Sequence, residues 1–232
     1  MKFARLSALV CLVAVAASAA QGAVITTIPL VDSQGRDSGW AAELPDTQAA
    51  RNVTDIVVNP TDGSVTVTIL KDFVGYTGSG ADLEFPIGKI TFRQTLADAL
   101  TVPRIIVRGE TIQNHTLLPW TAFVWNVAPT GLAWFNTAAT AWNAAPFASQ
   151  AWTDQTGSKA NTLLASNGLV PDGATFSPAG SLVIDTNLAP ETPVSFDFKE
   201  MVIPEPATIS LLALASLGWP RRRRLAPRLS KN

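Results

Sequence analysis

His115 is the sole histidine in a chain of 232 residues, and Cys11 the sole cysteine. A Ser-His-Asp relay needs an imidazole to take the serine proton, so any such triad here must use His115. Its setting, "QNHTLL", places it between Asn114 and Thr116 and reads instead as a turn between strands. Clusters of His and Cys that would hold zinc are excluded by these counts. Calcium needs oxygen ligands at alternating spacing. The stretch "DSQGRDSG" offers Asp32, Ser33, Asp37 and Ser38 near a glycine but no closing glutamate, so it reads as a solvated turn. Glycoside hydrolysis needs two carboxyl groups flanking one bond; any two of the body's 17 acidic residues could converge in space, but nothing singles out a pair. The expectation is a non-enzymatic chain with no metal and no cofactor.

Aromatic residues are the other group able to do something specific. Five of the seven tryptophans, Trp120, Trp125, Trp134, Trp142 and Trp152, fall within one stretch of 33 residues. Flat aromatic faces stack on sugar rings, and they also fill cores that lack disulfides. Trp125 alternates with Phe123 and Val127, which points to the core. Trp134, Trp142 and Trp152 lie in a loop-like region rich in Ala, Asn and Thr. That leaves them as candidates for a sugar-binding surface, with core packing as the alternative.

The elements that position these residues read mostly as strands. "SVTVTIL" sets Val65, Val67 and Ile69 against Ser64, Thr66 and Thr68, the period of a half-buried strand. "TDIVVN" and the turn Asn59–Gly63 supply the first arm and loop of a hairpin. "KITFR" puts Ile90 and Phe92 on one face; "RIIVRG", "TAFVWNV", "SLVIDT" and "TPVSFDFKEM" follow the same style, the last with Val194, Phe196 and Phe198 aligned. Gln94 to Leu100 predicts a turn or two of helix, and Ser158 to Asn167 a short helix capped by Ser158 and ended by Gly168. Many short strands with Gly, Pro and Asn turns predict an all-β fold, an antiparallel, jelly-roll-like β-sandwich with one or two short helices.

The two ends differ from this body. Lys2 and Arg5 precede an apolar run from Leu6 to Ala20, and small residues follow through Ala23, the pattern of a cleaved secretory signal. Residues 1–22 are assigned to it, and 24–202 to an extracellular domain. Cys11 falls inside the signal, so the body is cysteine-free although export would permit disulfides. Outside the two ends the chain carries 9 basic and 17 acidic residues, a net charge near −8, which argues against nucleic acid as a partner.

At the other end, "VIPEPATISLLALASLGWPRRRR" has three parts. Pro204 and Pro206 remove backbone donors and end the last strand at about Ile203. Ala207 to Trp219 is an apolar, helix-capable run of 13 residues, roughly 20 Å long and shorter than a bilayer core. Arg221, Arg222, Arg223 and Arg224 then form a cytoplasmic stop.

This order of parts resembles the PEP-CTERM sorting signal of exported bacterial proteins. The resemblance implies that Pro204, Glu205 and Pro206 are recognised by an exosortase, a membrane-embedded processing enzyme. It implies that residues 203–224 hold the chain briefly in the inner membrane through a C-terminal apolar helix, with 225–232 as a cytoplasmic tail. Its members accompany exopolysaccharide production and biofilm formation, which implies a role at the cell surface or in the extracellular matrix, as a structural or adhesive component. A carbohydrate-binding module is the second expectation and a secreted hydrolase the third. Within the body, "ETIQNHTLLPWTAF" looks like a Glu-x-Ile-x-Asn-x-Thr … Trp-x-x-Phe pattern of some such proteins. It reads as strand, polar turn and strand, and implies no catalytic residue.

Overall fold

The computed structural model describes residues 25–45, 50–75, 87–188 and 192–205. The expected secretory signal, Pro206, the apolar run, the four arginines and the residues after them lie outside the described residues. Among the described residues, fifteen strands make up nearly all of the regular structure, and this part is all-β as its alternating pattern predicts.

The strands divide into two sheets. One is seven-stranded and antiparallel throughout. It runs in the order β1 (Ile25–Val31), β2 (Asp37–Pro45), β5 (Ile87–Gln94), β15 (Ser195–Pro204), β7 (Trp120–Ala128), β12 (Thr162–Val170) and β10 (Ser149–Thr153). The other is eight-stranded. Its main path is β11 (Lys159–Ala160), β8 (Ala133–Asn136), β14 (Ala179–Thr186), β6 (Arg104–His115), β4 (Ser64–Val74) and β3 (Ala50–Asn59). Two short strands add to it: β9 (Ala141–Asn143) pairs with β14, and β13 (Thr175–Phe176) pairs with β6.

Inner faces follow the period of two that strands impose. Val65, Val67 and Ile69 of β4, Ile90 and Phe92 of β5, and Phe123, Trp125 and Val127 of β7 are all fully buried. So are Ile105 and Val107 of β6 and Leu182 and Ile184 of β14. These side chains form one core between the sheets. Edge-on aromatic pairs cross it: Phe73 of β4 meets Trp120 and Phe123 of β7 at centroid distances of 5.4 and 5.9 Å.

Four expectations are corrected. First, β4 and β6 pair in parallel, so the fold is not wholly antiparallel. Parallel neighbours need a crossover, and here β5 in the opposite sheet provides it where a helix usually does. Second, the segment from Ser158 to Asn167 is strand, not helix. Leu163 and Ala165 point inward while Leu164 and Ser166 are partly exposed, and β12 is paired on both sides, by β7 and β10. That pairing outweighs the helical propensity of Leu and Ala. Between Gln94 and Leu100 only a single 3-10 turn forms, Asp98–Leu100. Third, Trp134, Trp142 and Trp152 lie on β8, β9 and β10, not in loops. Fourth, the "DSQGRDSG" turn is not solvated at its first residue. Asp32 is buried, and its carboxylate accepts the N–H groups of Gln34 and Arg36 at 2.9 and 3.0 Å and the Arg36 Nε at 2.7 Å. Burial works to raise the Asp32 carboxyl, but these donors outweigh it and hold the group below its ordinary value.

Candidate functional site

Strand alternation does not stop at the apolar residues. Two places beyond Ile69 on β4 and past Phe198 on β15, the same inward positions carry Lys71 and Glu200. On β6 the corresponding position, beyond a register shift opposite Val67 and Thr68, carries Glu110. The three side chains meet midway between the sheets. Lys71 and Glu200 are in direct contact, and Lys71 Nζ is 3.7 Å from Glu110 Oε1. All three side chains have no exposed surface. The Phe198 ring lies 4.7 Å from Lys71 Nζ, and Trp125 Nε1 donates to Glu110 Oε2 at 2.8 Å. Opposite Glu200 in the ladder is Gly88, where an added Cβ would stand 3.0 Å from the Phe73 ring and 3.3 Å from Glu200 Oε2. The missing side chain is the room the carboxyl occupies.

The electrostatics of this trio are unusual. Beyond their contacts with one another, Lys71 Nζ, Glu110 Oε1 and both Glu200 oxygens make no hydrogen bond. Loss of water pushes the Glu200 carboxyl well above its ordinary value, and the Glu110 charge pushes the same way against the opposing pull of Lys71. Burial therefore favours the protonated form of Glu200. Glu110 and Glu200 are also a converging carboxyl pair, the feature sought for glycoside hydrolysis. They are sealed between two sheets and present no surface to a polysaccharide.

A second polar set explains the "ETIQNHTLLPWTAF" stretch. Glu110, Ile112, Asn114, Thr116, Trp120 and Phe123 are all buried. Asn114 Nδ2 faces the carbonyls of Leu118, Val170 and Pro171 at 2.9 to 3.1 Å. Its Oδ1 accepts the Thr116 N–H at 3.0 Å and the Thr116 hydroxyl at 2.7 Å. That hydroxyl in turn accepts Trp120 Nε1 at 2.9 Å. The residues of the pattern thus tie the β6–β7 turn to the end of β12. The amide and hydroxyl groups of Asn114 and Thr116 answer backbone carbonyls and backbone or ring donors that burial would otherwise strand. His115, between two of them, is about half exposed, and its Nδ1 lies 2.7 Å from Asp72.

The structure separates the three candidate tryptophans. Trp142 is buried and packs edge-on against Trp125 at 5.9 Å, so it belongs to the core. Trp152 is partly buried and leans on Phe135 at 5.6 Å. Trp134 is the one set among surface grooves. It walls a groove of about 330 Å³ with Asp154, Thr156, Lys159 and Asn161, and a second of about 320 Å³ with Asp62, Arg104 and Asp185. Lys159 Nζ sits 3.8 Å from the Trp134 ring centroid. Asp185 is fixed between Arg104 Nε at 2.6 Å and Asn136 Nδ2 at 2.7 Å.

Of the Pro-Glu-Pro residues, Pro204 ends β15 opposite Trp120, one residue later than expected. The Glu205 N–H donates to the Pro119 carbonyl at 3.1 Å, so the body reaches the motif with no spacer. Among the described residues, no cluster of His, Cys, Asp and Glu is fit to hold a metal ion. No helix among them is long and apolar enough to cross a membrane. Comparison with family models, curated proteins and solved structures finds no match to this chain.

Proposed function

We propose that the chain is an exported bacterial surface protein of the PEP-CTERM type, a non-enzymatic structural or adhesive component associated with exopolysaccharide. The observation that carries the reading is the order Pro-Glu-Pro, apolar run, four arginines, following a β body whose last strand closes at Pro204. In this reading the secretory signal takes the chain across the inner membrane, the tail holds it there, and an exosortase acts at Pro204–Pro206. The acidic body then stays at the cell surface or passes into the matrix. Mass spectrometry of the surface-associated protein tests this. A C-terminus ending near Pro204–Pro206 is expected; an intact terminus that keeps Arg221 to Arg224 overturns it.

A second reading, carbohydrate binding, is favoured by the position of Trp134. An aromatic ring between two open grooves lined by Asp, Asn, Thr, Lys and Arg has both parts of a sugar subsite, a stacking face and polar groups for hydroxyls. Retention of the protein on its own host's polysaccharide should fall on Trp134→Ala. Equal retention by the variant removes this reading and leaves the first one standing.

A further inference from the structure

The Lys71–Glu110–Glu200 cluster is costly as an ion network. Removing charges from water is repaid only when the remaining protons and lone pairs are satisfied. Here four polar atoms of the three side chains make no hydrogen bond beyond their contacts with one another. The same arrangement is well suited to a reaction. An amine nucleophile touches a carboxyl carbon's substituent oxygen, a second carboxylate stands beside the nitrogen, and aromatic walls exclude water.

We propose that the folded chain joins itself: Lys71 Nζ and the Glu200 side-chain carboxyl condense into an amide that links β4 to β15, with Glu110 as the catalytic residue that carries the proton. The step balances without any co-reactant. It begins with the Lys71 ammonium, the Glu110 carboxylate and the protonated Glu200 carboxyl. Glu110 takes a proton from the ammonium, and the freed amine attacks Glu200 Cδ. A C–N bond forms, and the former carbonyl oxygen carries the negative charge of a tetrahedral centre. Collapse of that centre breaks the C–OH bond. The nitrogen gives up a second proton, one proton passes through Glu110 to the departing hydroxyl, and water leaves. The products are one secondary amide, one water and a protonated Glu110. No formal charge remains buried, which removes the cost of the starting state.

The surroundings fit this sequence. Trp125 Nε1 holds Glu110 Oε2, and the free Oε1 is the oxygen that faces Lys71 Nζ at 3.7 Å. Trp125 is a positioning residue in this sense. Gly88 and the Phe73 and Phe198 rings close the space around Glu200 and Lys71. Strands from both sheets hold the reacting groups at contact, so the bimolecular cost of amide formation is met by folding. A low-dielectric site also favours the uncharged Glu200 acid over its ion. The bond would tie the two sheets together in a body that has no cysteine for a disulfide. It would also fasten the strand that leads directly into the tail.

Peptide mapping of the full chain isolated from its host decides the matter. Trypsin does not cut at an acylated lysine. The expected product is therefore a branched species in which Asn52–Lys89, uncut at Lys71, is joined to the peptide beginning at Glu200, one water lighter than the two together. Recovery of separate peptides, with cleavage at Lys71, from the folded protein overturns the proposal. Lys71→Met must abolish the branch, which shows that the link is made through that nitrogen. Glu110→Gln, checked for folding by its tryptophan fluorescence, is expected to slow branch formation roughly a hundredfold or more. Formation at the wild-type rate in folded Glu110→Gln would refute the assigned role of Glu110. If that variant does not fold, the wild-type map still decides whether the bond exists. The tail's fate does not enter this readout, since the Lys71 site is scored whether or not the chain ends at Pro204.

Discussion

Asn114→Ala should be among the most damaging single substitutions in the body. Asn114 is fully buried, and its amide offers two N–H groups to three carbonyls while its oxygen accepts two donors from Thr116. Four effective hydrogen bonds are lost, each with a net value of about 1 kcal/mol, and the carbonyls of Leu118 and Val170 are left buried. Partial relaxation recovers some of this, so the expected loss is about 3–5 kcal/mol. For a body of this size that lowers the melting temperature by roughly 10 °C. The assay is urea unfolding followed by tryptophan fluorescence, with Trp120 as the local reporter through its bond to Thr116. Gln113→Ala is the control: its neighbouring side chain is exposed, and it should change stability by less than about 0.5 kcal/mol. Asn114→Asp should be worse than Ala. It keeps the acceptor for Thr116 but turns a lone-pair-bearing oxygen toward three carbonyls. A loss below about 1 kcal/mol for Asn114→Ala, or a milder effect for Asp than for Ala, would refute the argument that this network holds the β6–β7 turn.

The other expectations are shorter. Trp142→Ala should cost about 3–5 kcal/mol in unfolding experiments, because it empties a core position beside Trp125, whereas Trp134→Ala should leave stability nearly unchanged. Gly39→Ala should lose about 2–3 kcal/mol, since a Cβ there meets the Thr101 Cα at 2.8 Å and the backbone φ is +79°. Its unfolding midpoint checks this. For acid sensitivity, Asp197 is informative. Burial works against its ionised form, but the Thr91 hydroxyl, Lys89 and Lys199 hold its carboxyl below the ordinary value. A lowered folded-state value contributes stability above the unfolded value, near pH 4, that is lost as pH falls through the folded one. Asp197→Asn should therefore flatten the acid limb of a stability–pH curve below about pH 4 and leave the slope near pH 7 unchanged.

How far the sequence could be read depends on what each signal reports. Alternation reports which face a strand buries, and it placed Val65, Val67, Ile69, Phe123, Trp125, Phe196 and Phe198 correctly in the core. Propensity reports only what a segment prefers alone, and it failed at Ser158–Asn167, where partners on both sides decide. Composition reports still less. The polar neighbours of Trp134, Trp142 and Trp152 resemble loop residues, yet all three lie in short strands paired with residues well away in sequence, Asp185, Gly180 and Leu163. Contacts of that range leave no local trace.

The charged trio was partly within reach. Continuing the alternation past its last apolar residue would have put Lys71 between Ile69 and Phe73, and Glu200 between Phe198 and Val202, both facing inward. A lysine or glutamate flanked on its own face by two core residues is a stronger signal than its residue type, because burial of a charge is rarely neutral. The convergence itself was out of reach. It needs β4 and β6 to be parallel neighbours, with a register shift that turns Glu110 inward, and it needs β15 to face them from the other sheet. Glu110 shows the same division. As the first residue of the "ETIQNHTLLPWTAF" pattern it could be noticed but not interpreted, since Trp125 lies on β7 and Lys71 on β4. The pattern then acquires a physical meaning in two halves. Asn114, Thr116 and Trp120 lock the turn, and Glu110, held by Trp125, stands beside Lys71, a lysine buried in the core.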